Sequence, residues 1–274
     1  MKKSVYIICL CVLSVLVFYE VEHIQERKTS GGTYVPTAGV VSKVKEENKK
    51  NVKDGKKTEE STKEETKKVA YLTFDDGPSE NTEKVLDILK SKNIVASFFI
   101  IGKDLPENGE KIIKQAVEQG NVVGVHTYSH ERNNIYQDRE HFFSDYDKAE
   151  EILEKILGKK PTLHRFPWGS NNNRVSYYVD SLIEELKSRG VRSFDWNVSG
   201  EDSVSLNVPG SVIFANIKKD LNRFDNPIIL LHDSATMQNT VAVLPDIIDY
   251  IREQGYEFDT VDHHPGYIFP ASWR

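Results

Sequence analysis

Cysteine is nearly missing from this chain: of its 274 residues only Cys9 and Cys11 carry a thiol. The 263 residues beyond Cys11 can therefore hold neither a disulfide nor a cysteine zinc site. Long apolar runs are scarce too, since only Ser4 to Tyr19 forms one, which excludes a polytopic membrane protein. A basic surplus is also absent from the part that folds. The first 41 residues carry a net +1 and the next 27 a net +3, leaving −10 in the last 206 of a chain whose total is −6. A domain that acidic is a poor binder of nucleic acid, because phosphate contacts need clustered cations.

What is present begins with Lys2 and Lys3 ahead of the apolar run, the pattern of a secretory signal or a short membrane anchor. Phe18, Tyr19, Glu20, Val21 and Glu22 follow the run and offer no small-residue cleavage pattern, and neither cysteine follows Gly, Ala or Ser. Residues 1–22 are therefore read as an anchor, with an extracytoplasmic protein as the expectation, secreted if the segment is cleaved. From Ser42 to Lys68 come ten lysines and seven acids with no aromatic. Such a stretch buries too little apolar area to offset chain entropy, so residues 23–68 read as a disordered, charged spacer. Residues 69–274 are left as one folded domain, with 38% hydrophobic residues in the whole chain to build its core.

Beyond Lys68 short β-type runs alternate with helical ones. Seven strands are expected: Val69 to Phe74, Ala96 to Ile101, Asn121 to His126, Thr162 to Phe166, Val191 to Asn197, Pro227 to His232 and Tyr256 to Val261. Six segments between them have helical spacing, for example Val85, Leu86, Ile88 and Leu89, or Ile152, Leu153, Ile156 and Leu157. Gly120, Gly158 and Gly190 stand where helices should end. Parallel neighbours need crossover connections, so this alternation predicts an α/β fold, a distorted (β/α) barrel of about seven parallel strands. A flat doubly wound sheet stays open as the alternative. Pro245 conflicts with the last helical run unless it falls in the first turn.

In both architectures ligands gather at the C-terminal ends of strands. Asp75 and Asp76 follow the first strand, His126 ends the third, Arg165 ends the fourth, Asp202 follows the fifth and His232 ends the sixth. Thr73-Phe74-Asp75-Asp76-Gly77-Pro78 puts two adjacent carboxylates at a strand end. In extended chain they point to opposite sides and can take different roles, although Asp-Asp-Gly-Pro is also an ordinary turn. His126-Thr127-Tyr128-Ser129-His130 spaces two imidazoles four apart, which brings them to one face if the loop enters a helical turn. Two histidines and a carboxylate with an open position form a catalytic zinc set. The protease motif is absent, since Thr127 stands where it needs glutamate. His23, His141, His164, His263 and His264 have no such partners and read as structural or solvated.

Taken in order, Thr-Phe-Asp-Asp-Gly-Pro at 73–78, His-Thr-Tyr-Ser-His at 126–130, Arg-Phe-Pro-Trp-Gly at 165–169 and Leu-Leu-His at 230–232 resemble the NodB-like polysaccharide deacetylases, carbohydrate esterases acting on N-acetylglucosamine polymers. The resemblance spans Val69 to Val261. It implies that Asp75 is the general base and that Asp76, His126 and His130 bind a divalent metal, zinc or another such as cobalt. It implies further that His232 protonates the departing amine, that Arg165 holds Asp75 ionised, and that the Trp168 amide, beside Pro167, meets the oxyanion while Leu230 lines the pocket for the acetyl methyl.

Two departures stand out. Trp168 replaces the family's usual Tyr or Phe after the proline, and Asp202 is followed by Ser203 where the family usually has tryptophan. Asp202 can orient Arg165 or His232, and Trp196 is a candidate to replace the missing indole. The expected function is thus a metal-dependent N-deacetylase of a cell-wall or surface polysaccharide, peptidoglycan before others given the tether. An O-acetyl esterase on xylan and a catalytically silent glycan-binding module are the alternatives.

Overall fold

The computed structural model describes residues 67–103 and 105–273. The anchor read at residues 1–22 and nearly all of the spacer read at 23–68 lie outside the described residues.

The strands are β1 (Lys68–Gly77), β2 (Ser97–Ile101), β3 (Val122–Thr127), β4 (Leu163–His164), β5 (Arg192–Ser193), β6 (Val198–Ser199), β7 (Ile228–His232) and β8 (Tyr256–Phe258). Seven of them run in the order β5-β4-β3-β2-β1-β7-β6, and β8 adds beside the first residues of β1. Every pairing is parallel. The helices are α1 (Glu80–Lys92), α2 (Gly109–Glu118), α3 (Arg132–Ile135), α4 (Arg139–Leu157), α5 (Val179–Ser188), α6 (Gly210–Asp220) and α7 (Gln238–Glu253). They occupy the six expected connections, with the short α3 as an addition before α4.

The strand period explains how side chains are sorted. On β1, Ala70, Leu72 and Phe74 pack beneath the helices, whereas Tyr71 joins Phe99, Leu163, Phe194, Ile228 and Val261 in a separate inner cluster. Thr73 and Asp75 share the inward phase of Tyr71. Each fully buried large apolar side chain contributes about 1.5–3 kcal/mol, so this two-sided burial fixes the register. The sheet is curled, not flat. On a flat sheet Arg165, just past β4, would stand about 14 Å from β1, yet its guanidinium lies 2.9 Å from Asp75.

The fifth expected strand, Val191 to Asn197, is a correction: only Arg192–Ser193 of it is strand, as β5 at one edge of the sheet, and β6 begins just beyond it at Val198, at the other edge. Phe194 still donates to the His164 carbonyl beside β4, while Asn197 exchanges hydrogen bonds with Ile228 beside β7. The four residues between carry the chain across the gap. The carbonyls of Phe194 and Asp195 turn to Arg165 instead of a ladder, which is the physical reason for the break.

Pro245 is a second correction, because it lies inside α7 and not in its first turn. The proline loses one helical hydrogen bond, but Val243, Leu244, Ile247, Ile248 and Ile251 are buried along one face and hold the helix in place. Gly158 caps α4 with φ +69, as its position predicts.

Candidate active site

The first acid of the pair sits at the inward end of β1. Asp75 is buried, and its Oδ1 accepts from Arg165 Nη1 at 2.9 Å. Arg165 is wholly out of solvent. It spends the rest of its fork on Thr73 Oγ1 at 2.6 Å, the Phe194 carbonyl at 3.0 Å and the Asp195 carbonyl at 3.3 Å, with its plane 4.3 Å from the Phe99 ring. A buried cation persists only when its donors are met in this way.

Asp76 corrects the expectation that the two acids diverge. Its φ is +71, and the β1–β2 register shifts between Asp75 and Gly77, so the backbone leaves the extended state there. Both carboxylates consequently turn to His126: Asp75 Oδ2 lies 4.0 Å and Asp76 Oδ1 3.4 Å from its Nε2.

The two imidazoles do meet, although not through a helical turn. Residues 128–130 form a bend in which the amides of Tyr128 and Ser129 donate to the Asp145 carboxylate at 2.7 and 3.1 Å, and His130 has φ +53. The His130 amide donates to Thr127 Oγ1 at 2.9 Å. The ring centroids of His126 and His130 end up 5.2 Å apart, and His130 Nε2 lies 3.4 Å from Asp76 Oδ1.

Proton positions follow from the partners. His126 Nδ1 donates to the Arg165 carbonyl at 2.9 Å, which leaves a lone pair on Nε2. Burial, then the nearness of His126, lowers His130 to about 4, so this ring is neutral in ordinary conditions. Burial alone would raise the Asp76 carboxyl, but the nearness of His126 and the protonated His232 hold it well below the usual carboxylate range. Asp76 Oδ1 is buried without a hydrogen-bond donor among the described residues. Three electron pairs, from Asp76, His126 and His130, thus face one another within 4.8 Å. That is unfavourable unless a cation sits among them, and one carboxylate with two imidazoles fits a divalent transition metal.

Across β1, Asp75 and His232 are register partners on β1 and β7. His232 Nδ1 meets Asp202 Oδ1 at 2.8 Å. Burial would lower this imidazole, but the hydrogen bond and charge of Asp202 outweigh it and push it up to about 9. Asp202 thus orients His232 and not Arg165. Ser203 Oγ lies 3.3 Å from His232 Nε2, in place of the family's indole. Leu230 shares the inward phase of His232 and is buried. Trp168 has φ +59 and is 42% exposed, with its ring 4.5 Å from that of His130. Beneath it the Pro167 carbonyl accepts from Tyr136 Oη at 3.0 Å. Trp196 packs on Phe269 at 5.1 Å and lies 5.7 Å from the Arg165 guanidinium, in the wall behind that residue.

Several positioning residues carried no signal in the sequence. Thr240 donates to Asp202 Oδ2 at 2.8 Å, Asp145 cradles the histidine bend, and buried Asp195 takes up the Ser170 and Phe269 amides. Asp233, next to His232, accepts from Thr82 Oγ1 at 2.6 Å and has a second carboxyl oxygen buried without a partner among the described residues.

Known proteins carry the same arrangement of elements. The family described as polysaccharide deacetylase matches residues 62–184. A peptidoglycan-N-acetylglucosamine deacetylase of Bacillus cereus is 30% identical over 210 residues, covering 76% of this chain and 73% of that protein. A bifunctional xylanase/deacetylase of Pseudobutyrivibrio xylanivorans is 32% identical over 203 residues, covering 73% of this chain and 31% of its own length. Among solved structures, the catalytic domain of a peptidoglycan N-acetylglucosamine deacetylase from Eubacterium rectale superposes with a TM-score of 0.68 at 28% identity, covering 74% of this chain and 93% of that one.

Proposed function

Because this chain belongs to the polysaccharide deacetylase family, we propose that it hydrolyses the N-acetyl groups of N-acetylglucosamine in a cell-wall glycan, peptidoglycan before others, releasing acetate and leaving a free amine. The observation that carries this reading is the two ion-paired groups, one acid and one imidazole, that flank the ligand cluster. Asp75, paired with Arg165, stands on one strand end, and His232, paired with Asp202, stands on the next.

Asp75 takes the proton of the attacking water through Oδ2, the oxygen that Arg165 leaves free. His232 holds its proton at Nε2 and gives it to the sugar nitrogen as the C–N bond breaks, since an amine anion is too poor a leaving group. A divalent metal held by Asp76, His126 and His130, zinc or cobalt by ligand type, would acidify the water and polarise the acetamide carbonyl. The Trp168 amide supplies a second donor for the developing oxyanion. Leu230 receives the acetyl methyl, and the exposed Trp168 ring covers the sugar.

Mass spectrometry of the products from purified peptidoglycan and from a chitin pentamer, run beside Asp75→Asn, tests the reading. Loss of acetyl mass is expected with the parent protein alone, and no loss on either polymer after zinc is restored overturns it. An O-acetyl esterase on xylan is the second reading, favoured by the likeness to a xylanase/deacetylase and by Ser203 in place of the indole. Faster turnover of acetylxylan than of chitin oligomers would select it. The apolar run at residues 4–19 and the lysine-rich spacer support a membrane-held enzyme outside the cytoplasm. Among the described residues no helix is long and apolar enough to cross a membrane, so the test is fractionation of the full chain against one lacking residues 1–22.

A further inference from the structure

Beyond Trp168 the cleft wall continues into a second, polar hollow of about 450 Å³, lined by Asn133, Tyr136, Gln137, Asn173, Arg174 and Tyr177. Its size suits one sugar ring. The hollow adjoins the reacting centre through Tyr136, whose ring lies 6.3 Å from that of Trp168; Trp168 in turn lies 4.5 Å from His130, and Arg132, two residues beyond His130, holds its guanidinium 5.6 Å over the same indole. Amide side chains that hydrogen-bond hydroxyls line the hollow, and Tyr177, 78% exposed, gives it an aromatic edge.

Charge sets this wall apart. The last 206 residues carry a net −10, yet here two arginines stand at one rim, and Glu131, the acid next to Arg132 in the chain, is taken up by Lys103. Arg132 gives one N–H to Asn173 Oδ1 at 2.8 Å and meets no carboxylate among the described residues. The Arg174 guanidinium has no partner among them either. Three other exposed arginines, Arg139, Arg189 and Arg223, are each paired with an acid, and Arg192 and Arg252 are spent on main-chain carbonyls. Planar forks left open beside a sugar-sized hollow match a carboxylate, which a guanidinium binds through two parallel hydrogen bonds.

We propose that this wall is a subsite for a carboxylate-bearing neighbour of the sugar being deacetylated, so that Arg132 and Arg174 direct the enzyme to anionic glycan over a neutral N-acetylglucosamine polymer. The inference rests on the function proposed above and deepens it. In a peptidoglycan strand the carboxylate has two sources: the lactyl ether of the adjacent sugar, free once the peptide is removed, or the peptide stem itself.

The test compares kcat/KM of the full-length, zinc-loaded protein and of Arg132→Gln/Arg174→Gln on three substrates: a chitin pentamer, peptide-stripped strands and strands bearing stems. The expected result is a loss about tenfold larger on the anionic strands than on the pentamer, the worth of roughly one charge-assisted hydrogen bond, seen in KM more than in kcat. Added salt should shrink the parent protein's preference. Sensitivity of the stripped strands assigns the lactyl carboxylate, and sensitivity confined to stem-bearing strands assigns the peptide. Equal losses on all three, or none, overturn the proposal. If the parent protein turns over none of them, the function fails separately, and calorimetric binding of both kinds of strand decides the subsite. Weaker binding by the double variant then supports it and equal affinity overturns it. Both arginines are exposed, so circular dichroism should match the parent, and the single variants repeat the test if the double one does not fold.

Discussion

His232 and Asp202 are joined at two points: the ring Nδ1 lies 2.8 Å from Asp202 Oδ1, and the His232 main-chain N–H donates to Oδ2 at 2.8 Å. Thr240 fixes the second oxygen from α7. The carboxylate therefore sets both the direction of the imidazole and its proton affinity, which it raises to about 9 against the opposing effect of burial. An acid that must be protonated to work loses activity as pH rises through that value. The alkaline limb of the kcat profile is expected near 9 in the parent protein, and in Asp202→Asn it should move below about 7 while kcat falls roughly 100-fold. The linked stability has the same sign. It is present in full below the unfolded histidine value of about 6.5 and is lost as pH climbs through about 9. An alkaline limb that stays in place in the variant would sink the assignment.

Asp75 and Asp76 are adjacent in sequence and take opposite roles in the proposed reaction. Asp75→Asn keeps the ligand cluster, so metal content measured by mass spectrometry should equal that of the parent while kcat drops about 10²- to 10⁴-fold. Asp76→Ala removes a ligand and should lose the metal together with activity. Chelation should abolish turnover in the parent and added zinc restore it. Loss of metal from Asp75→Asn would instead make Asp75 a ligand.

Much of this site is legible in the sequence because its parts are contiguous. Thr73 to Pro78 is the end of one strand, and His126 to His130 is a strand end and its loop, so period and spacing bring their side chains to one rim. What escapes the sequence is decided by distant partners. The run Val191 to Asn197 has no break of its own, and it leaves the sheet after Ser193 because Arg165, about thirty residues earlier, takes the Phe194 and Asp195 carbonyls. The turn of Asp76 toward Asp75 depends on a left-handed backbone that aspartate tolerates but does not demand. Thr240 and Asp145 act across 38 and 17 residues of sequence, and nothing local marks them.

Arg165 joins the site to the fold through four hydrogen bonds. Arg165→Met fills the space without the charge and leaves Asp75 buried and unpaired, with two main-chain carbonyls and Thr73 short of a partner. A broken buried pair costs about 3–5 kcal/mol, a fall in Tm of roughly 10 °C for a domain of this size. Scanning calorimetry of the chelated protein measures it. The double change Asp75→Asn with Arg165→Met should recover part of the loss, because no uncompensated charge remains. A double variant as unstable as the sum of the single ones would locate the cost in packing and not in charge.

Asp233 is a buried carboxyl that takes no part in the proposed chemistry. Gly77 packs so closely that a Cβ there would lie 2.7 Å from Asp233 Oδ1. Oδ2 accepts from Thr82, and the main chain bonds Asp75 on one side and Ser79 on the other, so the residue ties the base strand to the start of α1. Burial, then the charges of Asp76 and Asp75, raises this carboxyl to about 7. A carboxyl raised on folding destabilises the native state where the unfolded chain would ionise it. The penalty is absent below about pH 4, grows as pH rises toward 7 and is constant above. An amide can accept from Thr82 and carries no charge. Asp233→Asn should therefore match the parent at pH 4 and exceed it by about 2–4 kcal/mol at pH 8, measured by urea denaturation of the metal-free protein. If the variant is instead the less stable at pH 8, Asp233 is ionised there and works as a charged partner of the loop that holds Asp76.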